Sequence, residues 1–273
     1  MGISDYQFPV SELLNYGDAR KYRVRRNNWL NYVEELNLED KHIPELISMA
    51  TDDELHQANS DSKEVWSPVH AWRALGQLQA ISAIEPLLAL LANQDDEYID
   101  DWLGEDFHRI CCLIGVESIP ILKNYLPDPH NNFWARIEVA HALEAIGNKY
   151  PEVYDTCIGI IAEQLKKHKY NDRTLNAFLI SYLVDLKLDS EAVETIQIIE
   201  QAFKAGNVDK TIMGDWYDIQ VELGLKSQDE IEKLRLASRE KLASLFTSTK
   251  TTKNDSQGFG SKKSKKKSKK KKK

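Results

Sequence analysis

The chain has 273 residues, 42% of them hydrophobic, and is therefore long enough to bury a large core. It contains no apolar run of about 18 residues and no signal-peptide h-region, which argues against a membrane or exported protein and predicts a cytoplasmic one. The formal net charge of −7 conceals ten lysines within residues 262–273, which leave the rest of the chain near −17. The acidic body and the basic end therefore predict different partners.

Residues 1–40 are predicted to form an N-terminal helical cap. Five basic residues lie close together in this segment: Arg20, Lys21, Arg23, Arg25 and Arg26. They interleave with Tyr16, Tyr22 and Trp29, and arginine forks beside aromatic faces can hold phosphates and stack bases. The segment is therefore a candidate nucleic-acid contact. The alternative is that these charges spread around a helix and pair with the acidic body.

Residues 41–246 repeat one unit, in which an apolar helix pattern, a Gly and a short turn lead to Ile-Pro or Ile-x-Pro at the start of a second helix. The repeated turns are His42-Ile43-Pro44-Glu45-Leu46-Ile47, Ile84-Glu85-Pro86-Leu87-Leu88 and Ser118-Ile119-Pro120-Ile121-Leu122. Apolar residues recur at i, i+3, i+4 and i+7 on both sides of each turn. We expect Gly76, Gly115, Gly147 and Gly224 to end first helices in a left-handed conformation. Repeats of about 32–40 residues predict an all-α fold, an α-solenoid of helical hairpins.

Tryptophans lie near the starts of consecutive first helices, at Trp66, Trp72, Trp102 and Trp134. If they fall in register, they form an aromatic ridge of the kind that anchors partners, with Arg73 and Arg136 nearby as charged forks. The spacing of Trp72 with Val69, Leu75 and Leu78 instead predicts packing between hairpins. The candidate partner contacts are therefore Trp66, Trp102, Trp134, Arg73 and Arg136.

An acidic segment precedes and enters one first helix. Residues 95–106 contain seven carboxylates, and Asp100 and Asp101 beside Trp102 are candidates for steering a basic partner. The segment lacks the order of an EF-hand, so no specific calcium site is predicted. The alternative is a solvated loop at a helix N-terminus, where the helix dipole favours carboxylates.

Catalytic and metal-binding patterns are weak. The seven histidines are scattered, with no His-Glu-x-x-His and no Gly-x-Ser-x-Gly, and the three cysteines form neither a disulfide framework nor a Cys-x-x-Cys zinc pattern. Cys111 and His108 stand three residues apart on one helix, but Cys111 belongs to an apolar stripe, so a buried unreactive thiol is expected. The sequence predicts no enzyme, no metal site and no cofactor.

The chain end is predicted to be a disordered basic tail over residues 247–273. It contains too little apolar surface to fold, and it is either a weak, non-specific contact for RNA, ribosome or an anionic surface, or a solubilising segment. Just before it, Ser227-x-x-Glu230 predicts a capping box for a last helix over Ile231–Phe246.

Two segments carry a family resemblance: Ala71-Trp72-Arg73-Ala74-Leu75-Gly76-Gln77-Leu78, followed by Ala83 to Leu88, and Ala135 to Gly147, where Arg136 occupies a frequent Val-Arg position. They resemble HEAT-repeat proteins, especially the short repeats of the phycobilisome-lyase type. The middle unit departs from the pattern at Asp100-Asp101-Trp102 and at Cys111-Cys112.

The resemblance implies a scaffold, so the favoured function is a non-enzymatic adaptor that binds a protein partner on the solenoid surface. It also implies an alternative, a phycobilin lyase-type protein, with a chromophore pocket formed by Trp102, Asp101, Trp134 and His141. RNA or ribosome association through the basic segments is a further alternative. The identity of the partner and the oligomeric state are not predicted.

Overall fold

A computed structural model of the protein describes residues 6–25, 28–92, 101–188 and 192–251. The chain forms two units, residues 1–225 and 226–273. The helices, in chain order, are α1 Tyr32–Leu36, α2 Ile43–Ala50, α3 Asp53–His56, α4 Ser67–Gln77, α5 Ile84–Ala92, α6 Asp101–Ile114, α7 Ile119–Tyr125, α8 Phe133–Lys149, α9 Tyr154–Lys166, α10 Arg173–Asp185, α11 Val193–Lys204, α12 Lys210–Met213, α13 Trp216–Glu222 and α14 Gln228–Thr251. Two short antiparallel strands, β1 Arg23–Arg25 and β2 Asn28–Trp29, precede α1.

The first helices of successive hairpins pack side by side in the order α4, α6, α8 and α10, and α2, which begins at the second-helix motif Ile43-Pro44, packs against α4. Contacts between α4 and α6 advance in the same direction on both helices: Trp72 meets Asp106, and Gly76 meets Ile110. These helices are therefore parallel, and their equivalent positions are 34 residues apart. The second helices α5, α7 and α9 pack against the first helices. The fold class predicted from the repeats, an all-α solenoid of helical hairpins, is confirmed.

The predicted apolar stripes form the core between these layers. On α8, Val139, Ala142, Leu143 and Ile146 are all inaccessible to solvent. The equivalent stripes on α6 and α10 are buried as well, with Phe178 of α10 only partly covered. Each stripe lies on one side of its helix, which leaves the opposite side of the first-helix layer for the cap or for solvent.

The prolines behave as predicted, and the glycines do so only in part. Pro44 and Pro120 occupy the first turns of α2 and α7, where a missing N–H costs nothing. Gly115 and Gly224 follow α6 and α13 with positive φ of 98° and 67°. Gly76 lies inside α4 and packs against α6, because a Cβ there would stand 3.3 Å from the Ile110 Cα.

Gly147 likewise lies inside α8, where an added Cβ would stand 3.0 Å from Leu186 Cδ2. The predicted C-cap role of Gly76 and Gly147 is therefore wrong. Both glycines allow neighbouring elements to approach closely, whereas the left-handed residue after α4 is Gln79, with φ 54°.

The N-terminal cap differs from the predicted helical segment. It consists of 3₁₀ turns at Val10–Asn15 and Ala19–Tyr22, the β1–β2 hairpin and the short helix α1. The alternation in Arg23-Val24-Arg25 suits a strand better than a helix. Two hydrogen bonds join the cap to buried His70 of α4, each 2.7 Å long. The Tyr32 hydroxyl donates to His70 Nδ1, and His70 Nε2 donates to the Gly17 carbonyl.

The burial of His70 predicts a pH-dependent stability. Burial lowers the pKa of His70 to about 4, against about 6.5 in the unfolded chain, so below pH 6.5 only the unfolded state takes up a proton at this site. We expect the free energy of unfolding to fall by about 1.4 kcal/mol from pH 7.5 to 5.5 through His70 alone. Urea unfolding at both pH values will show a smaller decrease for His70→Gln. Exposed His130→Gln should keep the slope of the native chain, and an unchanged slope in His70→Gln would contradict the assignment.

The second unit contains α14. Its start has the predicted capping box, in which the Glu230 N–H donates to Ser227 Oγ over 3.3 Å and the Ser227 N–H donates to Glu230 Oε2 over 2.8 Å. The helix continues to Thr251, five residues past the predicted end. The lysine-rich residues 252–273, for which disorder was predicted, lie outside the described residues. None of the helices in the described residues combines the length and apolar character needed to span a bilayer.

Candidate functional site

An open groove of about 690 Å³ lies where the N-terminal cap meets α6 and α8, and we call it the cap groove. The cap forms one wall with β2 and α1, and the first-helix layer forms the other. The lining residues are Trp29, Asn31, Val33, Glu34, Gln77, His108, Arg109, Cys112, Leu113, Ala145 and Lys149. The cap covers α4 and stops at α6. The groove therefore lies at the edge of the area that the cap covers.

Charged and aromatic side chains meet in the cap groove. Two guanidinium groups lie close to the Trp29 ring, with Arg109 Cζ 4.7 Å and Arg73 Cζ 5.1 Å from its centroid. Lys149 Nζ donates to the Cys112 carbonyl over 3.0 Å. Cationic side chains thus line the groove beside apolar ones, with Glu34 as the carboxylate on the cap wall.

A stack of four rings continues from the groove across α6, α8 and α10. His108 and His141 have ring centroids 3.9 Å apart and an interplanar angle of 17°. His141 stacks on Tyr182 at 5.1 Å, and Tyr182 on Phe178 at 6.0 Å. The parallel first helices bring these residues together, since His108 and His141 occupy equivalent positions 33 residues apart.

Glu138 joins this stack one helical turn before His141, and its Oε2 lies 3.6 Å from His141 Nδ1. One ligand atom from each of His108, Glu138 and His141 lies within 4.8 Å of the others, and we call these three residues the His-Glu cluster. Burial, together with His141 and Arg109, lowers the pKa of His108 to about 3. His108 is therefore neutral at physiological pH and retains a nitrogen lone pair.

The surroundings of the His-Glu cluster are acidic. Burial raises the pKa of Tyr182, and the nearby carboxylates of Glu138, Glu144 and Asp185 raise it further. Burial also raises the pKa of Glu144, against the opposing influence of His141. Three carboxylates thus act on Tyr182, which stacks on His141, and negative charge near this point favours a positive one.

Arg73 and Arg136, both predicted to contact a partner, are turned inward. Arg73 is completely buried, and its Nε donates to Asp106 Oδ2 over 2.6 Å. Arg136 is 7% exposed, and its Nε donates to the Leu126 carbonyl over 2.9 Å. The prediction that these residues contact a partner is therefore wrong, because both guanidinium groups link elements of the fold.

Two of the tryptophans that were predicted to form an aromatic ridge are in contact with each other. Trp66 and Trp102 meet edge to face with centroids 5.4 Å apart, and Arg20 Cζ lies 5.2 Å and 5.9 Å from their rings. Trp134 is 52% exposed and packs on Phe133. Trp72 is completely buried, as its apolar spacing predicted. Trp66, Trp102 and Trp134 thus stay candidate contacts, and Trp102 belongs to a cluster with Arg20.

In the predicted nucleic-acid segment, Arg20 pairs with a carboxylate: its guanidinium donates to both carboxylate oxygens of Asp18 over 2.8 Å. Lys21 is exposed. The side chains of Arg23 and Arg25 and all of Arg26 lie outside the described residues. The same holds for Asp100 and for the side chain of Asp101, so the acidic-rim prediction stays a prediction.

Two predictions about chemistry can be compared with these contacts. Cys111 is buried, as predicted, and burial raises the pKa of its thiol, which disfavours the reactive thiolate. The lyase-type pocket is not assembled by the described contacts, since Trp102 packs with Trp66 while His141 packs with His108 and Tyr182. The His-Glu cluster was not predicted, although Glu138-x-x-His141 is a local sign of it.

Comparisons with known proteins complete the description of the site. No curated protein and no solved structure matches the chain. A family model with the description "Protein of unknown function (DUF1186)" matches residues 31–247, which include α1 to α13, the His-Glu cluster and the lining of the cap groove apart from Trp29. Since the match covers most of the chain, the protein belongs to the DUF1186 family.

Proposed function

We propose that the protein is a cytoplasmic, non-enzymatic scaffold that holds an extended segment of a protein partner in the cap groove. The observation that carries this proposal is the groove itself, an open cavity of about 690 Å³ between the cap and the first-helix layer. Stacked helical hairpins commonly present such elongated surfaces to partners. The 34- and 33-residue offsets between first helices support the proposed relation to HEAT-type repeats.

The lining indicates the chemistry of the bound segment. Arg109 and Lys149 would attract a carboxylate, while Val33 and Leu113 offer apolar contact. Trp29 also lines the groove, but it is only 8% exposed and offers little aromatic surface to a partner. We therefore propose that the segment carries an acidic residue next to an apolar one.

Charge reversal at Lys149 tests this proposal. Peptides are selected from a displayed random library on the full-length protein, synthesised, and measured by fluorescence anisotropy. We expect acidic peptides with an apolar residue, and about tenfold weaker binding to Lys149→Glu because an attractive charge becomes repulsive. Glu34→Lys should bind the same peptides more tightly.

Lys169 provides the matched control, since it is an exposed lysine that does not line the groove. Lys169→Glu should leave the peptide affinity unchanged. Selection of basic peptides, or equal losses in the Lys149 and Lys169 variants, would refute the groove as the binding site. RNA contact through the basic segments stays a separate prediction, and its affinity should fall steeply with salt.

A further inference from the structure

The His-Glu cluster joins side chains from two neighbouring helices that have no sequence motif in common. His108 comes from α6, and Glu138 and His141 come from one side of α8. His108 Nδ1 is buried and has no hydrogen-bond partner among the described residues. A buried polar atom without a partner is costly, and a bound ligand is one way in which such a cost is met.

The distances approach those of a metal site. Around a tetrahedral ion with bonds of about 2.0–2.1 Å, two ligand atoms lie about 3.4 Å apart. The separation of 3.6 Å between Glu138 Oε2 and His141 Nδ1 matches this value. The remaining pairs lie within 4.8 Å, and because an imidazole lone pair lies in the plane of its ring, the stacked His108 and His141 rings would have to rotate out of their stack to face one ion.

The donor set indicates the class of ion. Two imidazoles and one carboxylate suit borderline transition-metal cations, whereas Mg²⁺ and Ca²⁺ prefer oxygen ligands alone. Such three-residue sets leave a coordination position open in zinc proteins. The nearby carboxylates of Glu144 and Asp185 add negative potential that favours a cation.

We propose that His108, Glu138 and His141 bind one divalent transition-metal cation, with Zn²⁺ as the representative ion. Because His108 also lines the cap groove, the ion borders this groove. The site concerns a different ligand from the peptide segment proposed above and does not depend on that segment. The competing explanation is an ion pair between Glu138 and His141 one helical turn apart, which needs no metal and gives His108 no role.

The test uses the full-length protein without an affinity tag, stripped with a chelator and titrated with Zn²⁺ by calorimetry. We expect one Zn²⁺ per chain, and affinity about 100-fold lower in His141→Ala and in His108→Ala. Glu138→Gln keeps the size of the side chain and removes its charge, so it should weaken binding while retaining the fold. Titration with Co²⁺ gives an independent readout, because its visible spectrum reports nitrogen and oxygen ligands directly.

His130 is the matched control, since it is an exposed histidine in a turn beside Asp128. His130→Ala should bind Zn²⁺ like the unchanged protein, and circular dichroism establishes that each variant is folded. The proposal would be overturned if the His108, Glu138 and His141 variants bound Zn²⁺ as tightly as the unchanged protein. It would also be overturned if the unchanged protein did not bind Zn²⁺, which would leave the ion pair as the explanation. A loss only in the Glu138 and His141 variants would exclude His108 as a ligand and overturn the three-residue site. None of these results depends on whether peptides bind the cap groove.

Discussion

Replacing Asp106 with Asn should lower the free energy of unfolding of the first unit by about 3–5 kcal/mol. Asp106 Oδ2 accepts from Arg73 Nε over 2.6 Å and from Trp72 Nε1 over 3.2 Å, and all three residues are buried. Asn keeps the volume and an acceptor oxygen but removes the negative charge. The Arg73 guanidinium is then left in the interior without a counter-charge, which is the costly part of breaking a buried ion pair.

Urea unfolding followed by circular dichroism measures this effect. Glu163→Gln is the control, because the Glu163 carboxylate pairs with Lys166 at the surface, where ion pairs contribute little. We expect its unfolding midpoint to match that of the unchanged protein. If Asp106→Asn unfolded at the same urea concentration as Glu163→Gln, the Arg73–Asp106 pair would not stabilise the contact between α4 and α6.

The helices and their buried faces could be predicted because the pattern that specifies them is local. Val139, Ala142, Leu143 and Ile146 fall on one side of a helix whatever the rest of the chain does, and they are buried. Pro120 at the start of α7 was predictable for the same reason. The parallel order of the first helices follows from the repeat, since each hairpin can bury its apolar face only against the next.

The direction of long polar side chains could not be predicted in this way. Arg73 stands next to Trp72 in sequence, which suggested a charged fork beside an aromatic surface. Its partner Asp106 is 33 residues away, in the next repeat, and the pairing becomes visible only when α4 and α6 are placed side by side. A buried arginine and an exposed one have the same local pattern, because the difference lies in the neighbouring helix.

The His-Glu cluster was missed for a related reason. Each histidine is isolated in sequence, so searches for short motifs pass over His108 and His141. Once the repeat places α6 parallel to α8, a spacing of 33 residues becomes a contact of 3.9 Å between ring centroids. In a solenoid, potential ligands are therefore better sought one repeat apart than within one helix.

Replacing Gly76 with Leu should destabilise the first unit by about 2–3 kcal/mol, because α4 and α6 touch at this position without a side chain between them. A Cβ at residue 76 would stand 3.3 Å from the Ile110 Cα and 3.4 Å from Leu113 Cδ1. The Ile110 backbone cannot rotate aside as a side chain can, so the rest of a leucine would push the two helices apart. Urea unfolding of the full-length protein measures the loss.

Gly76→Ala separates this effect from helix propensity. Alanine is favoured over glycine in a helix by about 1 kcal/mol, which offsets the tight contact of a single methyl group. We therefore expect Gly76→Ala to unfold near the midpoint of the unchanged protein, and Gly76→Leu to unfold well below it. If Gly76 served only as a C-cap, alanine and leucine would lower the free energy of unfolding by similar amounts. Near-neutral Ala and costly Leu would instead identify Gly76 as the close contact that sets the spacing of α4 and α6, and with it one wall of the cap groove.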